Sequence, residues 1–410
     1  MSRLSVVDEI FLRAHRGLGT PIALQGLWRT ADRVEPEVLE QVHGALRGGP
    51  LGRRVVRSRI PGARPLWRAN DRAHPLEFAQ RPIPATGLLD WADAQGSDLD
   101  PEFGPGWRLA AARVAGGGSI VALTCSHALA DGRGLVTAVD LALTGGAVPE
   151  IGAVQSDWAD ARRQWRTVVG GTAGALRRGI PQRPAAPAAR VAATAGRATH
   201  GAVLQIPAAD WDLVGAARGG TANTLFVHLV ATILWDSGFP ESSITASLPV
   251  DTRDEPRVDN DMAMTEVTVT RADTPATLRE KCRAAYEYRM SSPGGLPEEL
   301  LQVLPERVAY TLSRGAGERD ILCSNIGPLP ASLAHLGPHR CIGVATRAIH
   351  PGLLSTELPR TRLSAYLSRS GHTYTLALVS VDPDRIESAT ALADLAASAL
   401  DKLDLPNTAW

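Results

Sequence analysis

The sequence has no run of about twenty apolar residues, so we expect no membrane-spanning helix. It also has no excess of either charge, because Lys and Arg total 43 and Asp and Glu also total 43. This balance argues against a general nucleic-acid binder, which carries a basic surface. The first residues lack the apolar core and small-residue cleavage site of a signal peptide. We therefore expect a cytoplasmic protein with no nucleic-acid partner.

Cysteine is scarce, and several motifs of common enzyme classes are missing. The four cysteines, Cys125, Cys282, Cys323 and Cys341, are widely separated and form no CxxC pair. This spacing favours reduced thiols in a cytosolic protein over a disulfide framework or a zinc site. The sequence also lacks a P-loop, a GxSxG elbow and an HExxH motif. We expect no bound metal.

The composition is that of a soluble globular protein, with 44% apolar and 21% charged residues in a chain of 410 residues. Strand-like and helix-like stretches alternate on both sides of a segment at 171–200 that is rich in Ala, Pro and Arg. This pattern predicts an α/β protein with an N-terminal half at 1–170, a linker or crossover at 171–200, and a C-terminal half at 201–410. The alternative for the first part of the linker is a marginal surface helix.

The stretch TCSHALADGRGL, which starts at Thr124, places a histidine, an aspartate and a glycine at a predicted strand-to-helix junction. An apolar run predicts a strand at 120–124, and a helical pattern follows Gly132. The loop between them presents His127 and Asp131, and histidine is the side chain that most often serves as a general base near neutral pH. The alternative, from the spacing alone, is a core histidine satisfied by a backbone carbonyl beside a β-turn.

The segment SHALADG, at 126–132, resembles the HxxxDG active-site signature of the CoA-dependent acyltransferase superfamily. This superfamily includes chloramphenicol acetyltransferase, plant acyltransferases, condensation domains of peptide synthetases, and bacterial wax ester synthase/diacylglycerol acyltransferases. Many members have two adjacent histidines, whereas Ser126 occupies the first place here. The resemblance implies that His127 is the general base and that Asp131 and Gly132 complete the catalytic motif.

Five further segments resemble the wax-ester-synthase-like members, in matching order. They are RLSVVDEIFLR at 3–13, RPLW at 64–67, TANTLF at 221–226, LPVDTRDEPRVDNDM at 248–262, and SNIGPLP at 324–330. The resemblance implies polar groups that bind substrate in a channel, and the candidates are Ser126, Asn260, Ser324 and Asn325. The alternative for Asn260 and Ser324 is that they are turn residues. The sequence departs from the family pattern at Thr224, where an acid is usual, and at Asp259, where glycine is usual.

Arginines near these segments have structural interpretations. We expect Arg253 to pair with Asp131 across the junction of the two halves, because a partly desolvated carboxylate needs a cation and arginine can bind it with two hydrogen bonds. The alternative for Arg253 is a solvent-exposed position. The cluster of arginines at 53–59 is expected on a solvated edge strand, with contact to CoA phosphates as the alternative.

The resemblance implies two chloramphenicol-acetyltransferase-like domains that form a pseudo-dimer with a channel between them. The implied reaction transfers an acyl group from a thioester, with acyl-CoA favoured, to the hydroxyl or amine of a small-molecule acceptor, and O-acylation is expected over N-acylation. No cofactor is expected to stay bound, since acyl-CoA or an acyl-carrier phosphopantetheine is a co-substrate. Two alternatives stay open: a free-standing condensation enzyme that uses a donor bound to an acyl or peptidyl carrier protein, and a catalytically degenerate member that only binds an acyl group or a carrier protein.

Overall fold

The computed structural model describes residues 2–146, 156–179, 190–192, 197–287, 296–315 and 317–410. Its helices are α1 (Val6–His15), α2 (Pro36–Gly48), α3 (Leu88–Ala94), α4 (Gly132–Thr144), α5 (Asp157–Arg178), α6 (Ala208–Ala217), α7 (Ala222–Asp236), α8 (Pro275–Glu287), α9 (Leu300–Val303), α10 (Glu306–Ser313) and α11 (Ala389–Asp401). Its strands are β1 (Ala23–Thr30), β2 (Arg53–Val56), β3 (Leu66–Ala69), β4 (Glu77–Phe78), β5 (Trp107–Arg113), β6 (Ser119–Ser126), β7 (His200–Pro207), β8 (Ser243–Asp251), β9 (Met262–Thr270), β10 (Ile321–Pro328), β11 (His335–Leu336), β12 (His339–Ile349), β13 (Leu363–Ser370), β14 (Thr373–Ser380) and β15 (Thr408–Ala409).

Two large sheets define two lobes. The sheet of the first lobe has six strands in the order β11-β12-β1-β6-β5-β4, and the sheet of the second lobe has seven in the order β15-β7-β14-β13-β10-β8-β9. Each sheet supports its own apolar core, one around Trp28 and Leu123 and the other around Phe226 and Leu376. The predicted α/β class is confirmed. Among the described residues, no helix is both long and apolar enough to cross a bilayer.

Strand β6 and helix α4 form as their sequences predict. All eight residues of β6 are buried, so its nearly continuous apolar run lies in the middle of the first sheet, between β1 and β5. Helix α4 buries Leu135, Val136 and Val139 at helical spacing, and it ends at Gly145, whose φ of 65° is easily reached only without a side chain. This strand and this helix fix the two ends of the short loop that contains His127.

The first sheet contains a strand from the C-terminal half of the chain, so it crosses the predicted domain boundary at 201. Strand β12 comes from the C-terminal half, yet it pairs with β1 in the first sheet, with Ala23 opposite Ile349. A buried polar contact stabilises the pairing of β12 with β1. Arg347 of β12 is buried and donates through Nε to Gln25 Oε1 at 2.9 Å. The first sheet therefore combines strands from both sides of the predicted boundary. The division of the chain into domains at 1–170 and 201–410 stays a prediction.

The predicted linker at 171–200 needs a correction in its first part. Residues 171–178 are the last two turns of α5, which corresponds to the alternative of a surface helix. Their low apolar content did not prevent helix formation, because Ala175 and Val168 pack inward and Ser156 caps the start of the helix. Residues 180–189 and 193–196, which include most of the Ala- and Pro-rich stretch, lie outside the described residues.

Candidate active site

The loop between β6 and α4 lies at the junction of the lobes and contacts residues 253–261, which connect β8 and β9 of the second lobe. The loop ends at Asp131, which caps α4 through a hydrogen bond from the Gly134 amide to Asp131 Oδ1 at 2.8 Å. This cap satisfies an amide that the first turn of a helix leaves unpaired. The aspartate is therefore required by the local fold, whatever else it does.

His127 is buried at this junction, with only 9% of its surface exposed. Its ring stacks on the ring of Phe11 in α1, with centroids 3.5 Å apart and planes 14° apart. Burial is the main influence on the imidazole, and it lowers the pKa of His127 from 6.5 to about 4 because the charged form is poorly solvated. The histidine is therefore neutral near pH 7, which is the form that can accept a proton.

Asn260 determines which nitrogen of His127 carries the hydrogen. The Asn260 Nδ2 group donates to the main-chain oxygen of His127 at 2.8 Å and to Asp8 Oδ1 at 2.8 Å. A main-chain oxygen can only accept, so the amide oxygen of Asn260 must face His127 Nδ1, from which it is separated by 3.1 Å. His127 Nδ1 then donates, and Nε2 keeps its lone pair. Nε2 has no hydrogen-bond partner among the described residues.

Asp8 holds Asn260 in this orientation, and sequence reasoning did not assign it a role. Asp8 is buried in the first turn of α1, where it exchanges capping hydrogen bonds with Ser5. Its Oδ1 atom accepts from both Nδ2 and the backbone amide of Asn260, at 2.8 and 3.3 Å. The only available signal was the position of Asp8 in the N-terminal segment that resembles the acyltransferases. The aspartate and the asparagine are 252 residues apart in the chain.

The ion pair between Asp131 and Arg253 is present. Arg253 Nη2 lies 2.7 Å from Asp131 Oδ2, and the two side chains are 4% and 6% exposed. The same carboxylate oxygen accepts from the amide of Asp261 at 3.1 Å. Arg253 also pairs with Asp251 at 2.8 Å and donates through Nε to the main-chain oxygen of Arg257. The alternative of a solvent-exposed arginine is wrong, because this side chain is buried and joins the loop that contains His127 to the second lobe.

A second arginine, Arg53, is hydrogen-bonded to the loop that contains His127. Its burial is contrary to the expectation of a solvated edge strand. Arg53 in β2 is buried, donates to the main-chain oxygen of Leu129, and lies over the ring of Trp67 at 4.4 Å. Arg57 follows the solvated pattern more closely, since it is half exposed and pairs with Glu102 and Glu306. A short extended stretch does not show which of its arginines faces inward, so the sequence could not separate Arg53 from its neighbours.

The other predicted site residues are Gly132, which begins α4, and Ser324 and Asn325, which belong to β10. Gly132 lies against β10, where a Cβ atom would be 2.7 Å from the flexible end of the Ile326 side chain, Cδ1. Ser324 and Asn325 lie on β10, and Asn325 Nδ2 donates to Asn223 Oδ1 at 3.0 Å. Asn223 in turn donates to Tyr286 Oη at 2.9 Å. Among the described residues, none of these three side chains is hydrogen-bonded to His127. Substrate binding by Asn260, Ser324 and Asn325 stays a prediction.

Ser126 occupies the place of the first histidine of the signature, and its replacement by alanine should cost little. Its hydroxyl oxygen accepts a single hydrogen bond from the Ala128 amide, at 3.3 Å. A neutral hydroxyl cannot serve as a base near pH 7, and one long hydrogen bond is worth about 0.5–1.5 kcal/mol. We expect the kcat of Ser126→Ala to stay within about tenfold of wild type. Steady-state kinetics tests this, and a loss equal to that of His127→Ala in a folded protein would overturn it.

Solved structures share this fold over almost the whole chain. A wax ester synthase/diacylglycerol acyltransferase from Marinobacter aquaeolei VT8 aligns with a TM-score of 0.61 and 16% identity, over 98% of this chain and 99% of that one. A mutant starter condensation domain of rhizomide synthetase, solved in complex with C8-CoA, aligns with a TM-score of 0.55 and 15% identity, over 98% and 93% of the two chains. The epimerization domain from the third module of tyrocidine synthetase B gives a TM-score of 0.53 and 14% identity, over 98% and 95%.

The chain therefore has the two-lobed fold of the CoA-dependent acyltransferase superfamily, as the resemblance implied. No known protein-family model matches the chain, and no curated protein sequence matches it. At identities of this size the likeness establishes the fold alone. The described residues also contain no cluster of three or more His, Cys, Asp or Glu side chains suited to a metal ion.

Proposed function

We propose that the protein transfers an acyl group from a thioester to a hydroxyl or amine acceptor, with His127 as the general base. One observation carries this proposal: a neutral histidine at the junction of the lobes has its Nδ1 held by Asn260 while its Nε2 is unpaired. A base requires this arrangement, because one nitrogen must be fixed by the protein and the other must be free to take a proton. The fold supports the proposal, since wax ester synthases and condensation domains share it.

The proposed reaction needs no acyl-enzyme intermediate. The acceptor oxygen or nitrogen attacks the thioester carbonyl carbon while His127 Nε2 removes its proton. The tetrahedral intermediate collapses, the carbon–sulfur bond breaks, and the thiolate takes the proton back from Nε2. The products are an ester or amide and a free thiol. Both substrates must therefore be bound at the same time, which lowers the entropic cost of the encounter.

Asn260 and Asp8 are proposed as positioning residues. When the imidazole becomes positively charged, its Nδ1–H donates to the Asn260 amide oxygen, and this hydrogen bond strengthens as charge develops. Asp8 prevents the amide from turning over, because its Oδ1 accepts from Asn260 Nδ2. Through this relay the N-terminal segment acts on the catalytic loop without contact with substrate.

The tetrahedral intermediate carries an oxyanion, and the start of α4 is the proposed source of donors to it. Gly132 is the first residue of this helix, so its amide has no carbonyl partner within the helix. The positive end of the helix dipole also favours a negative oxygen at this position. Asp131 cannot serve as a second base in this scheme, since its two oxygens are engaged by Gly134, Arg253 and Asp261.

We expect acyl-CoA to be the donor. The similar starter condensation domain was solved with C8-CoA, and the similar wax ester synthase/diacylglycerol acyltransferase is named for O-acylation. Incubation of the purified protein with a panel of acyl-CoA thioesters and a panel of alcohols and amines should release free thiol in an acceptor-dependent way. Thiol release only from acyl-carrier-protein thioesters would identify a free-standing condensation enzyme. Absence of thiol release from both panels would overturn acyl transfer.

The same panel separates acyl transfer from epimerisation. The fold also occurs in an epimerization domain, where the reaction is the inversion of a stereocentre. Epimerisation of an aminoacyl thioester would leave the thioester intact, so it releases no thiol, and chiral chromatography of the recovered acyl group detects it. Inversion without thiol release would therefore replace the proposed reaction with epimerisation at the same histidine.

The pH dependence of kcat/KM should reflect the buried state of His127. Because burial lowers the pKa of this group to about 4, the base is already neutral at pH 5, and the rate should be level from there up to neutral pH. The rate should fall only as pH decreases through about 4, when His127 takes up a proton. A limb with its midpoint near the ordinary histidine value of 6.5 would contradict this prediction.

One neighbouring carboxyl group must be controlled in this experiment. Burial raises the pKa of Glu9 to about 7, and Glu9 lies one residue from Asp8 in α1. Glu9→Gln removes this titration and keeps the hydrogen-bonding shape of the side chain. If the acid limb belongs to His127, the profile of Glu9→Gln should retain its midpoint near 4.

A further inference from the structure

Helix α5 carries an exposed apolar stripe that the proposed reaction does not use. Four of its large apolar side chains are exposed: Trp158 at 64%, Trp165 at 45%, Val169 at 62% and Leu176 at 55%. The indole of Trp165 also packs against Gly62. At 3.6 residues per turn these four positions fall within about 40° of one another around the helix axis. They form a straight line about 27 Å long on a helix of 22 residues.

A different side of α5 packs against the protein, so the stripe is not the core face of the helix. Asp160, Ala161, Gln164, Val168 and Ala175 are the residues that α5 buries against the protein. They lie about 60–160° away from the stripe around the axis. The helix therefore has a complete inward face, and the stripe is an additional apolar surface rather than a poorly packed core.

Arginines flank the stripe, and the carboxylates of α5 near it are paired. Arg162, Arg166 and Arg177 are exposed along one side of it, and none has an ion-pair partner among the described residues. The acidic residues of α5 are already paired: Asp157 with Arg3 at 2.5 Å and Asp160 with Arg64 at 2.7 Å. The outer surface of α5 is therefore apolar and positively charged.

We propose that the outer surface of α5, defined by Trp158, Trp165, Val169 and Leu176 and the flanking arginines, docks the protein onto an anionic lipid surface. A helix with aromatic and aliphatic residues on one line and arginines beside it lies in the bilayer interface, where indole rings are favoured and cations meet lipid phosphates. The inference goes beyond the proposed function, because it concerns association with lipid and does not depend on the chemistry at His127.

Two features favour a lipid surface over a protein partner. The stripe runs along the outward side of a single helix, so it forms a ridge rather than a groove. A bilayer needs no complementary groove, whereas a protein partner of a ridge must supply one. A second copy of this chain would oppose arginines with arginines along the same ridge, and like charges across an interface are unfavourable.

The test is co-sedimentation of the full-length protein with vesicles of phosphatidylcholine and phosphatidylglycerol, compared with vesicles of phosphatidylcholine alone. We expect binding to the anionic vesicles and much weaker binding to the neutral ones. The affinity of the double variant Trp158→Ser/Leu176→Ser for the anionic vesicles should be at least about tenfold lower than that of the wild type. Both positions are exposed, so thermal melting should show an unchanged fold.

Leu213→Ser is the matched control, because Leu213 is also an exposed leucine on a helix, at 68%, but lies in α6. It should bind vesicles as the wild type does. Equal losses in the control and in the double variant, or no binding of wild type to anionic vesicles, would overturn the proposal. A dimer that gel filtration detects in the wild type and that the double variant loses would also overturn it, in favour of a second copy. Vesicle binding is measured without substrate, so its outcome is separate from that of the thiol-release panel.

Discussion

His127→Ala should lower kcat by about 10²–10⁴-fold, which is the usual contribution of a general base. Nε2 is the one nitrogen of this ring that the protein leaves unpaired, and an alanine methyl group cannot accept the proton of the acceptor. The variant also leaves Asn260 Oδ1 without its donor in a buried position, which should cost about 1–3 kcal/mol of stability. The protein should therefore stay folded, with a slightly lower Tm, and steady-state thiol release measures the loss of activity.

His228→Ala is the control for this experiment. His228 lies in α7, is partly buried, and has its pKa lowered by burial as His127 does, but it is not in contact with the catalytic loop. Its loss should leave kcat nearly unchanged. If His127→Ala kept a kcat close to that of the wild type while circular dichroism showed both variants folded, the assignment of the base would be wrong.

Asp131→Asn should damage stability and activity together. Both partners of the Asp131–Arg253 pair are buried, so removal of the negative charge leaves a guanidinium with too little compensation in the junction of the lobes. We expect a loss of about 3 kcal/mol in the free energy of unfolding, at the lower end of the usual 3–5 kcal/mol because Asp251 still pairs with Arg253. Asparagine caps helices as well as aspartate does, so the substitution tests the ion pair and not the cap of α4.

A surface pair supplies the matched control. Asp236 and Lys402 are 2.8 Å apart, and their side chains are 30% and 57% exposed. Asp236→Asn should cost less than about 1 kcal/mol and should not change kcat/KM. Urea unfolding and steady-state kinetics measure both quantities. An Asp131→Asn protein of wild-type stability but without activity would show that Asp131 acts on the substrate rather than on the loop.

The local parts of the site were predictable from the sequence, because they depend on neighbouring residues. The apolar run at 120–124 and the helical pattern after Gly132 lie close together in the chain, so the position of His127 on a strand-to-helix loop followed from them. The ion pair with Arg253 could also be predicted, because the resemblance placed the arginine in an ordered segment and a buried carboxylate needs a cation.

The contacts that select the tautomer of His127 could not be predicted from the sequence. Asn260 is 133 residues from His127, and Asp8 is 252 residues from Asn260, so no periodicity or spacing links the three side chains. The same limit applies to two further features of the structure. Strand β12 joins the first sheet through pairing with residues far away in the sequence, and the burial of Arg53 depends on Trp67 and on the carbonyl of Leu129.

The central claim is direct transfer from a thioester to an acceptor at His127, and the stoichiometry of a single reaction tests it most directly. Wild type and His127→Ala are incubated with an acyl-CoA that the panel identifies as a donor, with and without its alcohol, and thiol and ester are both quantified by mass spectrometry. We predict equal amounts of thiol and ester from the wild type, no acylated protein in the intact mass, and little of either product without alcohol or without His127. Thiol release that does not need the acceptor, or an acylated protein that forms first and then decays, would contradict the account.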